Sequence, residues 1–264
     1  MSSSAGPRPV ASSPTDLRQH SFASFDGAEL TWYELGDGPP ALLLHGLFSD
    51  AHTNWIRYGH AAEIATVGYR VIMPDLRAHG RSARPHDSES YPPDVLARDG
   101  LALVDHLGLT GYHLAGYSLG ARTAVRMIVH GAAPERLVLA GMGLQGLLGT
   151  GRRTDHFRSI LTGLGSFERG SPEWMAEAFL KSTGGDPEAL LPLLDSFVDT
   201  SGAELTAIEQ PTLIVSGAED HDNGSAADLA EMMRRARYRE IPGNHMSAVT
   251  RPDLGRAIAL FISG

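Results

Sequence analysis

The alternation of short apolar runs with helix-like patterns is the feature that most restricts the fold of this chain. Apolar residues with helical spacing separate most of the runs that have the length of a buried strand. Strands that alternate with helices form a mostly parallel sheet joined by crossover helices. The sequence therefore predicts a doubly wound α/β fold with helices on both faces of the sheet. The predicted strands are 41–44, 69–75, 112–116, 136–141, 210–217 and 238–243.

The remaining patterns predict the helices and one antiparallel hairpin. Two alternating runs flank Asp26-Gly27, a dipeptide typical of two-residue turns, so a β-hairpin is expected before the first parallel strand. Gly108 follows one apolar helical pattern and predicts its end. The predicted helices are 54–67, 93–107, 119–130, 225–237 and 253–262.

One long segment interrupts the alternation. Residues 144–208 carry helical patterns without a convincing strand, and they are too many for a loop. We expect a small helical cap over the carboxyl ends of the strands, inserted into a core made of 20–143 and 209–264. Residues 1–19 are rich in serine and proline, which predicts a disordered lead-in.

Composition narrows the possible partners and the compartment. The net charge is −9, and no run of lysine or arginine exceeds two residues, which argues against nucleic acid or an anionic membrane as a partner. The chain has no cysteine, which excludes disulfides, thiolate zinc sites and a cysteine nucleophile. The N-terminus lacks the apolar region of a signal peptide, and no apolar stretch reaches about 18 residues. We therefore expect a cytoplasmic protein without a membrane span; its oligomeric state stays open.

The stretch "HLAGYSLGARTA", residues 113–124, places a serine between two glycines where a predicted strand passes into a helix. Gly116 and Gly120 allow a backbone approach that a Cβ would block. Ser118 then takes a strained conformation of the kind that functional sites tolerate, and Leu119 opens the helix with its N–H toward the space above the serine. The pattern favours a nucleophile. The alternative is a glycine-rich structural turn, although the absence of lysine argues against a phosphate-binding loop.

A serine nucleophile needs a base, and the base needs a carboxylate. His245 follows the last predicted strand and precedes the last helix, where a base is expected. The strand at 210–217 is followed by Glu219, Asp220 and Asp222, and we favour Asp220 over Asp222. The chain order of serine, acid and histidine is the order of the α/β-hydrolase arrangement.

An oxyanion needs two donors, and Leu119 N–H supplies one of them. The second is expected from Leu47 N–H, because "HG" at 45–46 ends an earlier strand. We interpret His45 as a residue that holds this loop, since His245 already fills the role of base. The polar groups of "DLRAHGRS", residues 75–82, are expected to pin a neighbouring loop.

With these pieces in order, the sequence resembles the α/β-hydrolase superfamily from about residue 20 to 264. The matching pieces are "HG" at 45–46, "DLRAHGRS" at 75–82, "GYSLG" at 116–120, "PTLIVSGAED" at 211–220 and "PGNH" at 242–245. The resemblance implies Ser118 as nucleophile, Asp220 as acid, His245 as base, and Leu47 and Leu119 as backbone donors. Family members that are haloalkane dehalogenases or epoxide hydrolases carry aspartate at the turn, so Ser118 favours the esterase-like branch.

The expected activity is hydrolysis of an ester-like bond in a small to medium, largely apolar small molecule through an acyl-enzyme, with no metal or organic cofactor. The same fold leaves open a carbon–carbon bond or amide hydrolase, a lactonase, a cofactor-free perhydrolase, or a ligand receptor with slow turnover. Arg152, Arg153 and Arg158 are expected on a solvated helix face rather than against an anionic substrate. The expected pocket residues are Phe48, Tyr117, Leu144, Leu147, Trp174 and Met246.

Overall fold

The computed structural model describes residues 16–264, and across that range the chain forms a sheet of eight strands flanked by helices. The strand order is β1-β2-β4-β3-β5-β6-β7-β8. The β1–β2 and β2–β4 pairs are antiparallel, and the other pairs are parallel. The strands are β1 Arg18–Ala23, β2 Glu29–Leu35, β3 Pro40–Leu44, β4 Arg70–Pro74, β5 His113–Tyr117, β6 Arg136–Ala140, β7 Thr212–Gly217 and β8 Ala236–Ile241.

The helices follow the strands as the alternating pattern predicts, and the α/β-hydrolase fold is confirmed. Short helical turns at His52–Ile56 and Ser88–Ser90 supplement them. The α-helices are α1 His60–Thr66, α2 Val95–His106, α3 Leu119–Val129, α4 Leu144–Leu148, α5 Gly151–Thr162, α6 Pro172–Ser182, α7 Pro187–Asp195, α8 Gly202–Thr206, α9 Ala226–Met232, α10 His245–Ala248 and α11 Pro252–Ser263.

The central strands are buried on both faces, which explains why they are continuous apolar runs. Because successive side chains of a strand point to opposite faces, Leu42 and Leu44 of β3 join one apolar cluster with helices α2 and α3. Leu43, between them, joins a second cluster with α1 and α11. The two clusters hold the sheet between two helical layers and leave the carboxyl ends of its parallel strands at one edge.

Two predicted helices differ from the structure. The helix expected over 225–237 is wrong at its end, because α9 stops at Met232 and β8 starts at Ala236. Pairing with β7 decides this: Ala236 lies opposite Thr212 and Arg237 opposite Leu213, and tertiary pairing overrides local helix propensity. The helix expected over 54–67 is divided by Gly59, whose φ of 81° interrupts it.

The lead-in expected over 1–19 is too long by at least two residues. Arg18 and Gln19 belong to β1, where Arg18 is paired with Glu34 of β2. Residues 1–15 lie outside the described residues.

Five helices, α4–α8, fill the segment between β6 and β7. Helix α5 packs against α6 and α7, and its Ile160 and Leu161 are buried with Leu190 and Leu193 of α7. These side chains are continuous with the apolar cluster on the α2–α3 side of the sheet. The inserted helices are thus anchored to the core by apolar contacts. Among residues 16–264, no helix has both the length and the apolar character required to cross a bilayer.

Arg77 links three parts of the fold that converge near the carboxyl ends of the strands. Its guanidinium is buried and bonds Asp99 of α2 through Nε at 2.9 Å and Nη2 at 2.7 Å. Its Nη1 donates to Asp26 in the β1–β2 turn at 2.6 Å and to the Ser90 carbonyl at 2.7 Å. The arginine therefore pairs with two carboxylates and joins the hairpin to α2.

We expect Arg77→Met to destabilise the fold by about 3–5 kcal/mol, because it leaves the Asp99 carboxylate buried without its cation. Urea unfolding followed by circular dichroism measures this change. Arg81→Met is the matched control, since Arg81 is exposed in the same loop and its loss should change stability by less than about 0.5 kcal/mol. Equal midpoints for the two variants would contradict the role of Arg77.

Candidate active site

Ser118 occupies a sharp turn between β5 and α3 with φ of 53° and ψ of −110°, an unusual conformation for a residue with a side chain. The neighbouring glycines make the turn possible. A Cβ on Gly116 would lie 2.2 Å from the Gly120 carbonyl carbon, and one on Gly120 would lie 2.0 Å from the Leu44 carbonyl oxygen. The turn is fixed from below by the Ser118 N–H, which donates to the Ala140 carbonyl of β6 at 2.8 Å.

The structure brings Ser118, His245 and Asp220 together. His245 Nε2 lies 3.1 Å from Ser118 Oγ, and His245 Nδ1 lies 2.9 Å from Asp220 Oδ2. A carboxylate only accepts, so Nδ1 carries the proton and Nε2 is free to accept from the serine hydroxyl. All three follow the carboxyl ends of parallel strands, where the sheet edge gathers them. Their arrangement suits transfer of the serine proton to the imidazole.

Asp220 and Asp222, the two carboxylates that the sequence left in competition, have different surroundings. The Asp220 side chain is only 3% exposed and faces the imidazole. Asp222 is exposed, and its carboxylate lies 3.6 Å from Arg153 Nη2. Of the carboxylates among the described residues, only that of Asp220 is within hydrogen-bond distance of the His245 imidazole.

The loop that carries His245 is supported by the sheet. The Tyr117 hydroxyl donates to the His245 carbonyl at 2.5 Å, and burial raises the pKa of this phenol well above its usual value. Gly217, at the end of β7, passes so close to this loop that a Cβ would lie 2.0 Å from the Gly243 carbonyl oxygen. These contacts determine where the imidazole lies relative to Ser118.

The loop that carries Leu47 is held by hydrogen bonds on both sides of that residue. The Gly46 N–H donates to Asn54 Oδ1 at 3.0 Å, and the Phe48 N–H donates to His79 Nε2 at 3.3 Å. Leu47 and Leu119 line the same cavity as Ser118. Since Leu119 begins α3, its N–H has no acceptor within the helix and is available to a ligand.

His45 and His79 stabilise this loop as neutral imidazoles. His45 Nε2 accepts from the Leu76 N–H at 2.9 Å while its Nδ1 lies 2.8 Å from the Gly46 carbonyl, so His45 holds the loop as expected. Burial lowers the pKa of His45, and burial with the neighbouring His45 lowers that of His79 to about 3. Asp75 accepts from the Ala51 and Arg81 amides and pins the same region.

A narrow cavity of about 30 Å³ lies beside Ser118. Side chains from the sheet edge, α3, α5 and the segment before α8 enclose it, and it combines apolar walls with two arginines. Its lining consists of Leu47, Ser118, Leu119, Arg122, Met142, Thr150, Arg153, Thr154, Phe157, Phe197 and Asn223.

The six residues expected from sequence to line the pocket are not on this cavity. Phe48 is buried and packs edge-on against Phe157 at 5.4 Å between ring centroids, one layer behind the wall. Tyr117 supports the His245 loop, Leu147 is fully buried, and Met246 is 51% exposed. Leu144 begins α4, where its N–H donates to the Ser225 carbonyl, and Trp174 lies in the first turn of α6.

Two arginines line the cavity that the sequence analysis did not place there, Arg122 and Arg153. Arg122 lies one helical turn after Ser118, since its N–H donates to the Ser118 carbonyl at 3.1 Å, so helical spacing alone could have found it. The expectation of a solvated face is wrong for Arg153, which lines the cavity. The expectation of a solvated face holds for Arg152, which is exposed. The Arg158 guanidinium donates to the Asp195 carboxylate at 2.5 Å. Within residues 16–264, no cluster of three or more histidine, aspartate or glutamate side chains could hold a metal ion.

Comparison with known proteins gives the family context of this geometry. The model of the Alpha/beta hydrolase family matches residues 41–255. A pyrrolizixenacetamide deacetylase of Xenorhabdus hominickii is 23% identical over 254 residues, which cover 86% of this chain and 91% of that protein. A solved structure, a hydrolase from Pseudomonas aeruginosa PA01, superposes with a TM-score of 0.76 at 25% identity and covers 93% of this chain and 98% of that one.

A third relative matches over a shorter range. The dihydrolipoyllysine-residue acetyltransferase component of an acetoin cleaving system from Pseudomonas putida is 40% identical over 128 residues, or 46% of this chain. These residues make up 32% of that protein, so the chain spans about a third of its length.

We expect Gly120→Ala to destabilise the protein by about 1–3 kcal/mol, although alanine normally favours a helix, because its Cβ must push the Leu44 carbonyl away. Gly149→Ala is the control, since no heavy atom lies within 4 Å of a Cβ built there. Thermal unfolding of the two variants beside the wild type measures the difference. A wild-type melting temperature for Gly120→Ala would contradict this account of the turn.

The neutral His79 predicts acid sensitivity. In the unfolded chain His79 binds a proton below its ordinary pKa of 6.5. In the folded protein its pKa is about 3, so the imidazole stays neutral until the pH approaches that value. Stability contributed by the neutral form is therefore present above pH 6.5 and is lost as the pH falls through this window. Between pH 6 and 4.5, we expect the unfolding free energy to fall less steeply for His79→Gln than for the wild type. The two slopes should differ by about 1.4 kcal/mol per pH unit. Urea unfolding across this range measures both slopes, and parallel slopes would contradict the prediction.

Proposed function

Since this chain belongs to the α/β-hydrolase family, we propose that it is a serine hydrolase that cleaves an ester-like bond through an acyl-enzyme. The proposed substrate is a small to medium molecule with a largely apolar body. Ser118 is the proposed nucleophile, His245 the base and Asp220 the acid that orients it. The observation that carries the proposal is the continuous chain of hydrogen bonds from Ser118 Oγ through His245 to Asp220, at 3.1 and 2.9 Å.

In the proposed first step, His245 Nε2 accepts the Ser118 proton while Oγ attacks the carbonyl carbon of the substrate. The imidazole becomes cationic, and the Asp220 carboxylate on Nδ1 stabilises that charge. The oxyanion is held by the Leu47 and Leu119 amides. Support for these donors comes from their place on the cavity beside Ser118 and from the hydrogen bonds that fix the loop around Leu47.

In the second step, the tetrahedral intermediate collapses and His245 donates its proton to the leaving alcohol. The acyl group stays on Ser118 Oγ. A water molecule then loses a proton to His245 and attacks the acyl carbon. The bond from the acyl carbon to Ser118 Oγ breaks, His245 returns the proton to Oγ, and the acid leaves. No step in this sequence requires a metal ion or an organic cofactor.

Residues 144–208 are proposed to act as a cap that controls entry to the site. Thr150, Arg153 and Phe157 of this segment line the cavity, and the Thr183 hydroxyl donates to the Phe48 carbonyl at 2.7 Å. The cavity of about 30 Å³ is far smaller than the roughly 300 Å³ or more of pockets that enclose organic ligands. We therefore propose that Phe157, Phe197 or α5 moves to admit the substrate.

Amide hydrolysis is a second candidate. The Xenorhabdus hominickii relative, named a deacetylase, matches 86% of this chain. The same residues would act, with His245 donating its proton to a leaving amine rather than an alcohol. A p-nitroanilide matched to each ester in its acyl group separates the two activities by their relative rates.

Hydrolysis of p-nitrophenyl acetate, butyrate and octanoate tests the proposed function. We expect Ser118→Ala and His245→Ala to lower kcat by about 10⁴-fold or more, because nucleophile and base act as a unit. Asp220→Asn should lower it by a similar factor of about 10⁴, since an amide in place of the carboxylate favours the wrong imidazole tautomer. Release of p-nitrophenol is the readout.

His106→Ala is the control, because His106 is exposed at the end of α2, and it should keep the wild-type rate. Acid quenching during turnover, followed by peptide mass spectrometry, should find the acyl group on the peptide that contains Ser118. Ester hydrolysis that persists in Ser118→Ala would overturn the proposal. Stoichiometric release without turnover would point instead to a ligand receptor of the same fold.

A further inference from the structure

Arg122 differs from the other buried arginines of the protein. Its side chain lies on α3 and is only 7% exposed, and Nη2 donates to the Gly146 carbonyl. Nη1 is buried and has no hydrogen-bond partner among residues 16–264. No carboxylate of these residues lies within ion-pair distance of it, whereas Arg77 and Arg126 each contact a carboxylate at 2.7 Å.

This isolation is costly, because a buried charge without a counterion loses its hydration and gains little in return. Burial lowers the pKa of Arg122 to about 10, so the guanidinium still carries its charge at neutral pH. The carboxylate of Asp199 acts on it only at a distance, since Asp199 Oδ1 accepts from the Thr150 N–H at 2.7 Å. Asp94 likewise acts on it only at a distance, so the positive charge has no carboxylate in direct contact.

Arg122 lines the cavity that contains Ser118. Arg153 lines the same cavity, but its ion pair with Asp222 at 3.6 Å offsets its charge. Phe197, 5.9 Å from the Arg122 guanidinium carbon, and Phe157 supply apolar walls beside it. The cavity thus combines one positive charge, apolar side walls and the proposed nucleophile.

We propose that Arg122 binds a carboxylate on the acyl part of the substrate, an inference that rests on the proposed function of Ser118. Arginine recognises planar carboxylates through short, charge-assisted hydrogen bonds. In the acyl-enzyme the acyl group is bonded to Ser118 Oγ, and Arg122 lies one turn of the same helix away, a rise of about 5.4 Å. At this spacing, a carboxylate a few carbon atoms from the ester carbonyl suits Arg122. The substrate class is then a monoester of a short dicarboxylic acid, or a lactone that carries a carboxylate.

A pair of matched esters tests this inference without any variant. Mono-p-nitrophenyl adipate and p-nitrophenyl hexanoate have acyl chains with the same number of carbon atoms and differ in the terminal carboxylate. We expect the wild type to prefer the adipate ester in kcat/KM by roughly 10- to 100-fold, the range that a buried charge-assisted hydrogen bond supplies. Equal kcat/KM values, or a preference for hexanoate, would overturn the inference while leaving the proposed function intact.

Variants assign the preference to Arg122. Arg122→Met should bring the adipate-to-hexanoate ratio close to one, mainly through KM for adipate, and Arg122→Lys should restore part of it. Arg152→Met, which removes an exposed arginine of α5, should keep the wild-type ratio. A ratio that survives in Arg122→Met would overturn the assignment.

Stability and binding separate this role from a structural one. Arg122→Met should unfold in urea at or above the wild-type midpoint, since an apolar side chain replaces an unpaired buried charge. A lower midpoint would favour a structural role and count against the inference.

If neither ester is hydrolysed, the proposed function fails, and calorimetry still decides the inference. Ser118→Ala should bind monoethyl adipate more tightly than ethyl hexanoate, which lacks the carboxylate, and Ser118→Ala/Arg122→Met should lose that difference. Equal binding by the two proteins would overturn it.

Discussion

The close contact between the Ser118 turn and strand β3 is the constraint on which the site depends. Gly120 lies against the Leu44 carbonyl at a distance that leaves no room for a side chain, and Gly116 packs as closely against Gly120. Because β3 and β5 are neighbours in the sheet, this contact draws the first turn of α3 onto the end of β3. Leu47 and Leu119, whose amides are the proposed oxyanion donors, then line one cavity with Ser118. Close backbone packing thus positions the serine relative to both proposed donors.

The histidine and its carboxylate reach the same place from the other half of the sheet. Strands β7 and β8 lie beyond β6, and the loops after them carry Asp220 and His245 back toward the end of β5. Tyr117, the residue before Ser118, bonds the His245 carbonyl and so joins the two halves directly. One strand end therefore supports both Ser118 and His245, the proposed nucleophile and base.

Local sequence signals predicted the sheet and the three side chains at its edge because each depends on short-range chemistry. The strand pattern follows from burial on both faces, and the serine turn follows from glycines that only close packing requires. The cavity walls could not be predicted in this way. Whether Phe157 or Trp174 faces the serine depends on how the inserted helices dock, and docking is a sum of many apolar contacts without a local signature. The predicted end of α9 was wrong for the same reason, because Ala236 pairs with β7 and so belongs to β8.

Arg122 shows where sequence and structure supply different halves of one inference. The sequence alone places Arg122 one turn after Ser118. Only the structure shows that Arg122 is buried and has no carboxylate partner among the described residues. The chain has 31 acidic residues and 22 basic ones, so counterions are plentiful, and Arg77 and Arg126 each pair with two carboxylates. A guanidinium left unpaired inside such an acidic protein, four residues from the proposed nucleophile, costs stability that folding alone does not explain. A carboxylate carried by the substrate supplies the missing counterion, and it does so only when the substrate is bound with its carbonyl near Ser118.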